Sequence, residues 1–358
     1  MRIAYVAHVS GAPQSGVFHK IVAQVGQWRA AGHVARVFLL TQDDPVPWTR
    51  HMGDVLVCRY DGAASRIASV TRLVSAVRQF HPTLFYVRRD LFYPQMLWLP
   101  RVPLVIEVNA DDLNEYEFGR RTRALYNART RGIMLRRAGA LVFATAELSA
   151  RPSFRGYRAT HAVVTNGIDL DAYPELPAPT DGPRRLAFVG HAGQRWHGVD
   201  KVLTLARLRS AWRFDIVGMR DEGVDAPPNV RWHGSLDRPA VLGVLAQADV
   251  GIGTLALHRD ALDEACPLKV REYLAVGLPV IYGYSDPDVD RLDPYVLRIA
   301  NSESNVMDAL PRIDAFLERS RGLRVPRASV SHLDVACKEE QRLALFDVVA
   351  RGDHVPRV

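Results

Sequence analysis

The stretch Met1–Leu40, MRIAYVAHVSGAPQSGVFHKIVAQVGQWRAAGHVARVFLL, decides the fold class. Arg2 to His8 is a nearly continuous apolar run of strand length, which a sheet covered on both faces requires. Val17 to Ala31 places Val17, Ile21, Val22, Val25 and Trp28 on one helical face, and Val34 to Leu40 is again strand-like. Gly32 stands where a helix end takes a left-handed residue. Strand, crossover helix and strand in succession make a βαβ unit, so the sheet is expected to be parallel.

The same alternation runs outward from this unit. Strands are predicted at Val55–Cys58, Thr83–Val87, Pro103–Val108, Ala140–Ala144 and Ala162–Val164, with helices at Ser65–Phe80 and Arg120–Arg137. PELPAPTDGP (Pro174–Pro183) holds four prolines and a glycine and reads as a linker. A second series follows, with strands at Arg185–Val189, Arg213–Val217, Asn229–Trp232, Val250–Gly253, Pro279–Tyr282 and Val296–Ile299. Its helices fall near Val199–Arg209, Pro239–Gln247, Leu268–Val276 and Asn305–Arg319, and a last amphipathic stretch covers Ala336–Ala350. The expectation is therefore an α/β chain of two doubly wound Rossmann-like domains, residues 1–178 and 183–336.

Length agrees, since 358 residues at roughly 150 per domain make about two domains. A hydrophobic share of 48% with 24% charged residues excludes disordered, fibrous and coiled-coil classes. The net charge of +7 favours an anionic ligand or surface: nucleic acid, phospholipid or a nucleoside diphosphate. Three scattered cysteines, Cys58, Cys266 and Cys337, lack CxxC spacing and indicate neither a zinc site nor a disulfide framework, which suits a reducing cytosol. The N-terminus lacks signal-peptide character, and no apolar run reaches the ~18 residues of a membrane span.

Doubly wound sheets bind ligands beyond the carboxyl ends of their strands, so chemistry is sought in the loops that follow strands. The first such loop, SGAPQSG, lacks GxGxxG, and no acidic residue ends the second strand. It reads either as a turn admitting a phosphate or sugar to a helix N-terminus or as a plain turn. A stronger constellation is DEACPLKVREYLAVGLPVI (Asp263–Ile281), in which seven residues separate Glu264 from Glu272. Pro267 suits the first position of a helix, Lys269 adds a cation beside its free N–H groups, and Glu272 stands about one turn in. That pattern suits a diphosphate with a neighbouring ribose diol.

This run resembles the signature of the retaining GT-B glycosyltransferases of glycosyltransferase family 4. FVGHAGQRWHGVDKVLTLA (Phe188–Ala206), LVFATAELSAR (Leu141–Arg151), VVTNGIDLDAY (Val163–Tyr173), Ser15–Phe38 and PLVIEVNADDLNEYE (Pro103–Glu117) resemble family segments in the same order, across nearly the whole chain. The resemblance implies two Rossmann-like domains facing a cleft, with the C-terminal helix, about 337–358, packing back on the first. It implies a nucleoside-diphosphate sugar, UDP- or GDP-linked, held by the second domain, and a hydroxyl acceptor (glycan, lipid-linked or small molecule) held by the first. By position Glu272 would bind the ribose, Glu264 the donor sugar, and Leu268 and Lys269 the diphosphate or sugar, with Gly16 beside the phosphates. Gly190 belongs to the Gly-rich loop, and base contacts are expected around Gly218, Met219 and Trp232–Gly234. Where the family usually has an Arg and a Lys, this chain has His191 and His197, leaving Arg195 or Lys201 to compensate charge. Asn109 stands where many members have His, and acceptor contacts are expected in Ser10–Ser15, Arg88–Met96 and Asp111–Phe118, including Asp112 and Glu115.

In the retaining front-face mechanism that the resemblance implies, the departing phosphate oxygen takes the acceptor proton. An inverting enzyme needs a base instead, for which Asp111, Asp112 or Glu115 stand ready. No metal and no cofactor beyond the nucleotide sugar is expected. RRTRALYNARTRGIMLRR (Arg120–Arg137) reads as a crossover helix with one solvated face, or as a surface for peripheral contact at the inner face of a membrane. Rival readings are a nucleotide-sugar epimerase or hydrolase of the same fold and a nucleic-acid-binding protein; the latter lacks a basic stripe with interleaved aromatics, so no nucleic-acid partner is expected.

Overall fold

The computed structural model describes residues 1–9, 16–43, 54–113, 121–221, 223 and 225–352. The chain divides into two compact units, Met1–Thr165 joined by the stretch from Val335 onward, and Asn166–Asp334.

In the first unit β1 (Arg2–His8), α1 (Gly16–Ala30) and β2 (Val34–Thr41) form the βαβ unit that the opening residues predict. They are followed by β3 (Val55–Arg59), α2 (Ala63–Gln79), β4 (Leu84–Arg88), β5 (Leu104–Val108), α3 (Arg121–Arg137), β6 (Ala140–Phe143) and β7 (Thr160–Val163). The seven strands are parallel in the order β3-β2-β1-β4-β5-β6-β7. Ile3 through Val6 are buried because helices cover both faces, which is why the strand reads as an unbroken apolar run. Gly32, at φ +84°, closes α1, with the His33 N–H donating to the Trp28 carbonyl at 3.0 Å.

The second unit holds β8 (Arg185–Val189), α4 (Val199–Leu208), β9 (Arg213–Val217), β10 (Val230–Gly234), α5 (Arg238–Ala246), β11 (Val250–Ile252), α6 (Leu268–Ala275), β12 (Val280–Tyr282), β13 (Val296–Arg298) and α7 (Leu310–Ser320). Its six strands are also parallel, in the order β10-β9-β8-β11-β12-β13. The single helix expected at Asn305–Arg319 is broken at Ala309 into a short turn and α7.

One boundary differs from the sequence expectation: the first unit's opening stretch ends at Thr165 instead of near residue 178. The proline-rich stretch lies inside the second unit, where Leu176 donates to the Val276 carbonyl at 3.1 Å and Arg324 donates to the carbonyls of Leu176 and Pro177 at 3.1 and 2.8 Å. Prolines surrender donors but keep acceptors, so an arginine can tie such a segment down. The final helix α8 (Val335–Arg351) belongs to the first unit, where the Trp28 indole donates to Glu339 Oε2 at 2.7 Å and packs edge-on against Phe346.

Candidate functional site

In the second unit the site is built around α6. Its orientation is set from the inside: the buried Arg271 guanidinium pairs with Asp286, one contact being 2.9 Å, and donates to the Asn166 carbonyl at 3.2 Å. From the other side the Tyr273 hydroxyl accepts the Val189 N–H at 2.7 Å, coupling α6 to the end of β8. Pro267 occupies the cap position, one place before the expected one, so Leu268, half-buried, and Lys269, buried, are the first helical residues. Their N–H groups have no acceptor within the helix.

Lys269 is buried and its Nζ has no hydrogen-bond partner among the described residues. The ammonium lies 4.1 Å from the Phe188 ring centroid and 5.8 Å from that of Trp196. Burial pushes its pKa down to about 7, partly opposed by Glu272. Beside it, His197 is buried with an unpartnered Nδ1, and burial first, then Lys269 and His191, push its pKa down to about 2. A side chain on Gly190 would strike Phe188 and His197 at 2.6 and 2.9 Å, and one on Gly218 would meet the Gly190 carbonyl at 1.9 Å. Gly190 and Gly218 therefore permit a close crossing of two strand ends, Gly218 doing so at φ +87°.

Glu272 is reached by the Tyr173 hydroxyl, which donates to Oε1 at 3.2 Å. Burial raises the Glu272 pKa, against the effects of Tyr173, Arg238 and Lys269. Glu264 sits in extended backbone paired with Ser285, the Ala265 N–H donating to the Ser285 carbonyl at 3.0 Å. Arg195 and Lys201, expected to compensate charge, are each engaged by acceptors of the chain. Arg195 donates to Asp260 Oδ1 at 2.9 Å, and buried Lys201 donates to the carbonyls of Ser302, at 3.0 Å, and Glu303. Each finds acceptors within its own unit, whereas Lys269 Nζ has none among the described residues.

In the first unit Gly16 opens α1; the preceding loop Ser10–Ser15 lies outside the described residues. Asn109 follows β5 and its Oδ1 accepts from Lys20 Nζ at 3.4 Å. The same ammonium pairs with Glu107 at 2.5 Å, and Tyr5 donates to the other Glu107 oxygen at 3.2 Å. Burial alone would raise the Glu107 pKa, but Lys20, Arg88 and Arg342 hold the carboxyl well below the usual range.

Asp112, expected to face an acceptor, is buried and engaged. Arg131 binds it twice at 2.8 and 2.9 Å, Asn127 donates at 2.6 Å, and Arg89 also reaches it. Its carboxylate anchors the turn after β5 to α3. Glu115 lies outside the described residues.

Sequence reasoning missed Tyr173 and Arg238 around Glu272, and the Lys20–Glu107 pair. It also missed a pair at the strand ends, where His8 Nδ1 lies 2.8 Å from Asp90 and His8 Nε2 lies 2.8 Å from the Tyr60 hydroxyl. A signal existed for Glu107: a carboxylate inside the apolar run PLVIEV demands a partner. Among the described residues no group of three or more His, Cys, Asp or Glu is placed to hold a metal, and no helix is long and apolar enough to cross a membrane.

By sequence, no protein-family model and no curated protein matches the chain. By structure it is similar to the lipopolysaccharide outer core galactosyltransferase WaaB, with TM-score 0.64 at 12% identity over 97% of this chain and 100% of that one. Anabaena HepE, solved with UDP and glucose, gives TM-score 0.67 at 14% identity over 97% and 99%. An alpha-glucosyltransferase solved with UDP-glucose and DNA gives 0.62 at 11% identity over 98% and 99%. The shared architecture is the GT-B fold of two Rossmann-like domains.

Proposed function

We propose that the chain is a retaining glycosyltransferase, of family 4 type, that moves a hexose-type sugar from a nucleoside diphosphate, UDP or GDP, to a hydroxyl acceptor. The observation that carries this reading is Lys269, a buried cation with no acceptor of its own, set at the N-terminus of the helix that also bears Glu272. A diphosphate supplies the missing acceptor, and the helix N–H groups and dipole add to its stabilisation. Similarity to GT-B enzymes solved with UDP or UDP-glucose supports the same ligand class.

In this reading Glu272, steadied by Tyr173, accepts hydrogen bonds from the ribose hydroxyls, and Glu264 accepts from the sugar. Leu268 contributes its backbone N–H, and Gly190 and Gly218 let the backbone approach the nucleotide. The bond from the anomeric carbon to the phosphate oxygen breaks, the acceptor oxygen bonds to that carbon on the same face, and its proton passes to the departing diphosphate. The protein's contribution is stabilisation of the leaving group and positioning. Because Lys269 and the helix terminus meet the diphosphate charge, a chelator should leave turnover unchanged.

A second reading rests on the His8–Asp90 pair, which has the geometry of an oriented general base. An inverting transferase would use His8 to take the acceptor proton. A thermal-shift screen against UDP, GDP, ADP and TDP sugars identifies the donor by the stabilisation it gives. NMR of the product then decides: a retained anomeric configuration agrees with the proposal, and an inverted one overturns it, with loss of turnover in His8→Ala then assigning the base to His8.

A further inference from the structure

The chain has four lysines, Lys20, Lys201, Lys269 and Lys338. Lys20 donates to Glu107 at 2.5 Å, and Lys201 donates to the Ser302 carbonyl at 3.0 Å. The amine of Lys269 differs in kind. The residue is 9% exposed, and its Nζ has no acceptor among the described residues and lies 4.1 Å from the centre of the Phe188 ring. An ammonium so placed has lost its water and gained neither carboxylate nor carbonyl, which favours the neutral amine. The aromatic faces return only about 0.5–2 kcal/mol of that loss. Three titratable groups stand around it. Glu272, on the same helix, raises its pKa against the larger effect of burial, while His191 and His197 stand on the segment after β8.

What surrounds the amine is built for an anion. Lys269 is the second residue of the eight-residue helix α6, and helical side chains lean back toward the N-terminus, so its amine lies over the first turn. The first N–H groups of that helix have no acceptor within it, and the terminus carries a partial positive charge. His197, 3% exposed, packs edge-on against Phe188 and Trp196, the two rings that also face the lysine. Its Nδ1 has no partner among the described residues, and burial keeps the ring neutral. A nucleophilic amine and donors for a small anion thus occupy one place.

We infer that Lys269 is a carbamylation site, its amine taking up carbon dioxide to give a carbamate held by the N-terminus of α6 and by His197. The nitrogen lone pair attacks the carbon of CO2 and forms the C–N bond. One C=O electron pair moves to oxygen, and a proton leaves nitrogen for the buffer. CO2 is small, uncharged and apolar, so the burial that strips an ammonium of water does not exclude it. The product turns a cation into an anion beside Glu272, an effect that Tyr173, donating to Glu272 at 3.2 Å, and Arg238 offset.

The consequence for function rests on the transferase reading. A carboxylate placed where the diphosphate is held excludes the donor, so CO2 and donor compete for one amine. With half of Lys269 carbamylated, the apparent Kd for the donor rises about twofold.

The full chain, equilibrated with isotopically labelled bicarbonate and CO2, is read by carbon NMR, then ethylated with a trialkyloxonium salt and mapped by peptide mass spectrometry. The wild type should carry the label on Lys269, with more of it above pH 7 than below, because only the neutral amine reacts. Lys269→Arg should lose it, since a guanidinium stays protonated, while label on the α-amino group of Met1 remains. Inorganic pyrophosphate should displace the label from Lys269 and leave that on Met1. The inference is overturned if the wild type yields no carbamate on Lys269, or if the yield falls as pH rises. Label on Lys269 that pyrophosphate does not displace upholds the carbamylation and overturns the diphosphate role of this lysine. Pyrophosphate binding, measured by calorimetry, in a protein that takes no label on Lys269 does the reverse.

Discussion

Lys20 and Lys269 are both buried, both set on helices beside a parallel sheet, and both have ammonium pKa values lowered first by burial. They differ in what their nitrogen atoms meet. Lys20 has Glu107 at 2.5 Å and Asn109 at 3.4 Å, with Tyr5 completing the carboxylate. Lys269 Nζ lies against the faces of Phe188 and Trp196 and, among the described residues, has no hydrogen-bond acceptor. A buried charge whose partner is part of the chain holds the fold together, and one whose partner is missing marks a place for a ligand.

The largest effect should come from breaking the paired member. Glu107→Ala leaves Lys20, Arg88 and Arg342 without their common anion and should lower the free energy of unfolding by about 3–5 kcal/mol. Denaturant melts would show this, while Glu272→Ala should change stability far less; equal losses would erase the distinction. Next, Lys269→Ala should reduce kcat/KM by about 10²–10³-fold, the size of losing one preorganised charge at a leaving group. The same variant should melt no lower than the wild type, since it removes an unpaired buried cation.

The pH dependence sharpens the contrast further. Lys269 is depressed in the folded protein, so between pH 7 and its usual titration range the native state binds fewer protons than the unfolded one. Its destabilising contribution is therefore full below about pH 7 and fades as pH rises toward that range. Binding of a diphosphate requires the protonated form, so calorimetry should show donor affinity falling above pH 7, approaching tenfold per pH unit. Lys269→Arg should flatten that profile, because a guanidinium stays charged. The smallest effect is expected from Tyr173→Phe, which removes the hydrogen bond to Glu272. Donor binding should weaken several-fold, about 1 kcal/mol, with kcat little changed.

Both halves of the comparison were unequally visible in sequence. Lys269 stands in the run Asp263–Ile281, where helix start, cation and two glutamates are close along the chain, and local spacing suffices to place them. The partner of Lys20 lies 87 residues away, and no periodicity reports such a distance. Asp112 shows the reverse error: it looks available next to Asp111, yet Arg131, nineteen residues on, closes over it. The proline-rich segment was misplaced as a boundary for a similar reason, since the arginine that ties it down, Arg324, is 147 residues away.

The sequence by itself determined the two parallel sheets, most strand and helix limits, and the helix beginning at Leu268, because these follow from apolar periodicity and from helix-terminus chemistry within a few residues. Only the tertiary structure decided which charges are spoken for. It bound Arg195 and Lys201 to Asp260 and to the Ser302–Glu303 carbonyls, and it closed Arg131 over Asp112. Burial and pairing depend on what folding brings together from distant parts of the chain, and that sets whether a charge belongs to the core, to a ligand or to a surface.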